Sequence, residues 1–427
     1  MADALPKDGP LAARIADLGF APGGWQAAAR AEALARLSTM GLPGRRDEYW
    51  RYTDAASLSQ PAAPVATTAA DGEESLVFDT IDTLKLVFVD GVFDAEASDP
   101  LALEAVEIGL LSQANGDLHW ARDLYGVLEA RGQVPVKRPF AALATAFATE
   151  GALIRVTGAA PRPIALTYIH RSETSDAILH HVVRIEPGAE VTILESGPAA
   201  ARFTKVLEVD VAEGGRFHHI RAQGPDHERR AITHLFGRVA AGALFKSFTL
   251  TANGVLTRNE AVIEILGDGA VAHVAGAAVG DGRFHHDDTV FITHQGVACE
   301  SRQVFKKVLK NGATGVFQGK ILVKPGAQKT DGYQISQALL LDEDSTFLAK
   351  PELEIYADDV KCSHGSTSGA IDETALYYLR SRGVPLKAAQ SLLVLAFLAE
   401  AIQEIENEEI AEDIRQRLET WLSRHEH

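Results

Sequence analysis

From about Leu153 onward the chain repeats one short phrase: an apolar residue, two others, a turn residue, two others and a second apolar residue. It appears as Ile185/Gly188/Val191, Val211/Gly214/Phe217, Val239/Gly242/Phe245 and Ile265/Asp268/Val271, with starts 26, 28 and 26 positions apart. That interval is about one coil of a β-solenoid, in which no rung can bury its apolar face alone and each stacks on its neighbours. A β-sandwich of evenly spaced hairpins would give a similar strand count, so the period favours the solenoid over it. Val323/Gly326 and Leu341/Asp344/Phe347 carry the phrase further at a shorter interval. The expectation is a mainly β protein with a β-helix core over residues 153–368 and the repeated apolar residues pointing inward.

The flanks read differently. Residues 1–75 form an N-terminal helical region and linker: Trp25, Ala28, Ala29, Leu34 and Leu37 follow a helical period that Gly41-Leu42-Pro43 stops. The Pro-, Ala- and Thr-rich stretch 60–75 reads as a linker or an extended crossing. Residues 76–152 are a mixed α/β lead-in, with a hairpin signal over 84–93 about Asp90-Gly91. In the C-terminal helical domain, 369–427, Asp372 can cap a helix over 373–382, followed by helices over 386–405 and 408–422.

Composition narrows the function. A net charge of -17 on 427 residues disfavours nucleic acid or an anionic membrane as partner, since both attract basic surfaces. The opening MADALPKDGP has no basic stretch followed by an apolar run, and no segment approaches the roughly 20 apolar residues of a membrane span. With Cys299 and Cys362 alone there is no disulfide framework, which fits a reducing cytoplasm. The same count constrains metal chemistry, because an iron-sulfur cluster usually takes four protein ligands.

Chemistry-bearing residues gather at the β-to-helix junction, Lys361 to Val384. Cys362 and His364 are two apart, so on a strand both project from one face and could meet one metal; equally, such a thiol can be a small packed hydrophobe. Three histidine pairs, His180-His181, His218-His219 and His285-His286, cannot chelate as units from regular strand, since neighbours face opposite sides. Gly319-Lys320 is preceded by Gly315 at the wrong spacing for a phosphate loop and followed by Ile321 where Ser or Thr must hold magnesium, so no nucleotide site is expected in this chain. Asp358-Asp359 reads as a solvated turn rather than an acid/base pair.

Longer runs carry a family resemblance. FQGKILVKPGAQKTDGYQISQALLLDEDSTFLAKPELEIYADDVKCSHGSTSGAIDETALYYLRSRGV, residues 317–384, resembles the shared core signature of the SufB/SufD family of iron-sulfur cluster assembly subunits. GLPGRRDEYWRYTD (41–54) and PFAALATAFATEG (139–151) resemble further family segments, with Ala144 where the pattern expects Asn. The Ser363-His364-Gly365 that follows the cysteine is similar to the SufD branch. The resemblance implies a right-handed parallel β-helix between helical ends. It further implies a non-enzymatic scaffold that pairs with SufB or with a second copy of its own kind and docks the SufC ATPase on its C-terminal helices. A transient iron-sulfur cluster shared with the partner would form at the interface, with His364 as candidate metal ligand and Cys362 beside it. Tyr377, Tyr378, Arg380 and Arg382, residue types that anchor interfaces, are candidates for the ATPase contact. The competing readings are a β-helix carbohydrate-active enzyme, which needs convergent carboxylates in a cleft, and an autonomous metalloprotein built on the histidine pairs.

Overall fold

A computed structural model of the chain describes residues 9–20, 23–68, 77–113, 119–224 and 227–425. The opening residues 1–8 and the linker's end, 69–75, named above, lie outside them. Strands alternate between two facing sheets, so each coil contributes one strand to each face and the sequence neighbours of a strand lie in the opposite sheet. Face A runs from the strand Leu84–Val89 through Ile164–Ile169 to Asp331–Leu340 and Lys361–Gly369; face B runs from Val106–Leu110 and Ala152–Val156 to Thr314–Val323 and Thr346–Ile355. Pairing is parallel throughout the coils, which makes the core a parallel β-solenoid.

The repeated phrase is the coil's corner. Ile185, Val211, Val239 and Ile265 are direct register partners on face B, all fully buried. Below each sits a turn glycine with positive φ, Gly188, Gly214, Gly242 and Gly269. Each glycine N–H donates to a carbonyl in the next coil's turn, from Gly188 to Glu213 at 3.0 Å, and from Gly214 to Ala241, Gly242 to Asp268 and Gly269 to Val297, each at 2.9 Å. The corner is therefore a hydrogen-bonded stack, which is why the phrase survives when the strands between vary.

The fourth copy departs from the expectation. Its turn glycine is Gly269 and not Asp268, and the inward residue is Ala272, paired with Phe245, while Val271 is half-buried and faces out. The cause is one extra residue in this turn, Gly267. A Cβ there would lie 2.0 Å from the Ala241 backbone nitrogen, so the bulge requires glycine, and it moves the following strand by one position.

The lead-in belongs to the solenoid's first end. The hairpin forms as expected, Leu84–Val89 against Val92–Asp94 with Asp90 and Gly91 at positive φ, and its first strand pairs in parallel with Ile164–Ile169. Helices cover the outer faces. The N-terminal helices Pro10–Ile15 and Ala27–Met40 and the buried helix Pro139–Phe147 pack Leu34, Leu37 and Leu143 toward Val182, Val206 and Phe236 of face B. The stretch 60–66 is an extended crossing pinned by Arg202, which donates to the Gln60 and Pro61 carbonyls at 2.6 and 3.0 Å.

The C-terminal helices are Glu373–Ser381, Leu386–Ile402 and Glu408–Arg424. Asp372 caps the first through Thr374 N–H at 2.8 Å. Val394, Leu398 and Ile402 of the second and Ile414, Leu418 and Trp421 of the third share one core with Ile220, Phe248 and Val304 of outer face A. Glu404 binds His273 at 2.8 Å and Glu406 binds Lys246 at 2.8 Å, locking the turn between them to that face. Among the described residues no helix is long and apolar enough to cross a membrane.

Candidate functional site: the open end of the solenoid

Face B ends at Thr346–Ile355 and face A at Lys361–Gly369, and among the described residues no strand pairs with either outer edge. Thr346–Ile355 has no fully buried residue, and Lys361–Gly369 is exposed over most of its length. Cys362 and His364 lie on this last strand, as the sequence reading expected, with Gly332 and Gln334 as their register partners one coil below.

Strand parity puts both residues on the inward row, but their surroundings differ. Cys362 is half-buried among Ile321, Val323, Ala327, Ala357 and Leu353. A side chain on Gly332 would come within 3.2 Å of its Sγ, so the thiol leans over the coil below. Burial in this apolar pocket pushes its pKa above the ordinary thiol value, which favours a neutral, packed thiol. His364 stands exposed beside it. The other cysteine, Cys299, is buried and donates Sγ–H to the Gly267 carbonyl at 3.1 Å, two coils below the last rung.

The histidine pairs divide as parity requires. His181 points into the lumen, where it meets Tyr168, while His180 faces outward to Glu208 at 2.8 Å. His219 binds Glu195 inside at 2.8 Å; His218 faces the Glu190 and Glu406 carboxylates outside. His286 bonds Lys307 inside, and His285 bonds Thr53 outside. Among the described residues no three His, Cys, Asp or Glu side chains come together as a metal site. The buried carboxylates are consumed by partners: Glu195 by Lys205 and His219, Asp288 by Lys307, Glu260 and Asp287 by Arg258. Gly319-Lys320 lies in mid-strand, with Lys320 paired to Glu354 at 2.5 Å, which is no phosphate loop.

On the first C-terminal helix no residue is buried. Tyr377 and Tyr378 are 72% and 59% exposed, and Arg382 stacks on Tyr378 with its Cζ 4.1 Å from the ring centre. Arg380 is exposed on the same helix.

Sequence reading missed the coil beneath the open rung. Gln334 and Gln303 occupy the inward row under His364 and are fully buried, and Ser336 bonds Ser366 of the last strand at 2.7 Å. Period-two alternation would have found them once the register of the last two coils was known.

Comparison with known proteins agrees with this arrangement. The family described as "SUF system FeS cluster assembly, SufBD core domain" matches residues 168–397, most of the solenoid, the first C-terminal helix and most of the second. The iron-sulfur cluster assembly protein SufD of Escherichia coli is 28% identical over 90% of this chain and 90% of its own length. A SufBD family protein of Synechocystis is 27% identical over 86% of the chain and 85% of its own length. SufD of Bacillus subtilis is 28% identical over 57% of each. The chain belongs to the SufB/SufD family of iron-sulfur cluster assembly proteins.

Proposed function

We propose that the chain is a non-catalytic scaffold subunit that pairs through its last rung with SufB, receives a nascent iron-sulfur cluster at that seam, and docks the SufC ATPase on its first C-terminal helix, in the cytoplasm. One observation carries this reading: the solenoid is closed by a hairpin at one end and left open at the other, where its exposed candidate ligand stands. Unpaired edge strands recruit strands from another chain. A cluster usually takes four protein ligands, and among the described residues no three His, Cys, Asp or Glu side chains gather here, so a partner would supply the rest. Imidazole and thiolate are both competent iron ligands, and the exposed His364 is better placed than the packed Cys362. A second copy of the chain meeting the same rung is the alternative pairing.

In the co-expressed complex, His364→Ala is expected to remove most of the cluster absorbance and bound iron without dissociating the subunits. Cys362→Ser is expected to do less, because its thiol is held neutral in an apolar pocket. Wild-type cluster yield with His364→Ala would end the ligand role.

The ATPase contact needs a gentler test than truncation, because removing residues 370–427 would bare the apolar outer face A. Tyr377→Ala with Tyr378→Ala should leave stability within about 0.5 kcal/mol, as exposed substitutions do. The same pair should weaken capture of the ATPase at least roughly tenfold if these are anchors of the ~2 kcal/mol class. Full-strength capture by the double variant would move the docking surface off this helix.

A further inference from the structure

The coil beneath the open rung holds a polar pair that the proposed function leaves unused. Parallel register stacks Gln303, Gln334 and His364 on one inward row. Both glutamines are fully buried, and the Phe317 ring, packed on Phe305, lies across the lumen near Gln334. Gln334 donates Nε2 to Gln303 Oε1 at 2.7 Å, and Gln334 Oε1 has no hydrogen-bond partner among the described residues. Buried amide oxygens are rarely left unsatisfied. Gln303 Nε2 is likewise without a partner among the described residues, so the pair's unspent donor lies on the inner coil and its unspent acceptor on the coil adjoining His364.

The placement is enforced from across the lumen. Gly319, on the facing strand, has no side chain, and a Cβ there would fall 2.3 Å from Gln334 Nε2 and 2.6 Å from the Phe317 ring. Only glycine at 319 leaves room for the Gln334 amide.

We infer that Gln334 is a positioning residue for the cluster site: its Oε1 receives an N–H of the His364 imidazole once a partner strand covers the last rung. This rests on the reading of His364 as a cluster ligand. A histidine that binds metal through one ring nitrogen almost always donates the other N–H to a fixed acceptor, which sets tautomer and ring orientation. In the uncapped chain the His364 ring is open to solvent; a covering strand would exclude water from it, and its register partner Gln334, on the neighbouring strand about 4.8 Å away backbone to backbone, carries an unspent acceptor.

The test uses the co-expressed complex, loaded with ferrous iron and sulfide, with His364→Ala alongside Gln334→Leu and Gln334→Glu. Gln334→Leu should lower cluster yield by roughly tenfold, the lower edge of the usual effect of such outer partners, in a complex that stays assembled. In chains labelled with 15N-histidine, the nitrogen hyperfine coupling of the reduced cluster should change in both Gln334 variants, because one lacks the acceptor and the other presents a charged one. Gln334→Glu should recover yield relative to Gln334→Leu. Unchanged coupling and yield in Gln334→Leu, in a complex where His364→Ala loses its cluster, would overturn this inference alone. If Gln334→Leu does not fold, unchanged coupling in Gln334→Glu overturns it equally. Wild-type yield in His364→Ala would instead overturn the ligand reading beneath it.

Discussion

Val211→Asp and Val239→Asp are each expected to destabilise the chain by at least ~4 kcal/mol, the range reserved for buried unpaired charges and lost cores. Both valines are fully exposed to other apolar atoms and not at all to water, stacked between Ile185 and Ile265 at the coil corner. A carboxylate there has no cation to meet, since its lateral neighbours are the apolar residues of the coils above and below. The turn stack offers no relief, because each corner glycine is bonded to the next coil, and one corner cannot open without its neighbours. Val271→Asp supplies the contrast. It belongs to the same repeated phrase in sequence, yet the extra Gly267 turns it outward and leaves it half-buried, so its cost should be about 1 kcal/mol or less. Chemical denaturation of the three variants reads the difference directly, and equal losses in all three would contradict the register.

That contrast shows how far the sequence could be read. The period, the corner residues, the hairpin at Asp90-Gly91 and the Asp372 cap follow from local chemistry: backbone demands at glycine, alternation of apolar residues, and a carboxylate over free N–H groups. A one-residue bulge obeys no period, and Gly267 looks like any turn glycine until its backbone is seen against Ala241. The same holds for the lumen. Lys205, Glu195 and His219 carry no local signal that sets them together, and only register brings them into the interior as one bonded group. Cys362 and His364 were legible as a pair because parity is local. The glutamines below them were not, because they depend on pairing across about thirty residues of chain. The segment 41–54 was recognisable by resemblance, but nothing local said where it lies.

Arg258→Met is expected to cost about 3–5 kcal/mol, the usual penalty for breaking a buried ion pair from one side, and to free that segment. Arg258 is fully buried on the outer side of face B, between Glu260 at 2.7 Å and Asp287. Its guanidinium lies 4.2 Å from the Trp50 ring centre and donates to the Tyr49 carbonyl at 2.8 Å. Asp287 in turn accepts from Thr53 at 2.6 Å. The segment 41–54 is therefore a strap whose polar ties to face B gather about the Arg258 guanidinium, with Gln318 donating to the same Tyr49 carbonyl at 3.1 Å and His285 bonded to Thr53 at 3.0 Å. Its far contacts reach the open rung, where Glu48 pairs with Lys350 at 2.6 Å and Tyr49 donates to Glu352. Burial alone would push the Glu260 carboxyl up, but Arg258 and then Arg138 override it and hold it down at about 2. Since the folded value lies below the unfolded one, this contribution is intact at neutral pH and is lost as pH falls from about 4.5 toward 2. Methionine fills similar volume without the charge, leaving Asp287 with only neutral donors and Glu260 with Arg138 alone. Arg258→Lys should recover only part of the loss, because an ammonium cannot serve both carboxylates, the Tyr49 carbonyl and the indole face together. Limited proteolysis should cut Arg258→Met between residues 44 and 54 under conditions that spare the wild type, and, on the pairing proposed above, capture of SufB should weaken with it. An unchanged denaturation midpoint with no new cleavage would mean that the strap is held by its aromatic packing, Trp50 on Phe140 and Tyr49 on Phe291, and that the buried charges contribute nothing net.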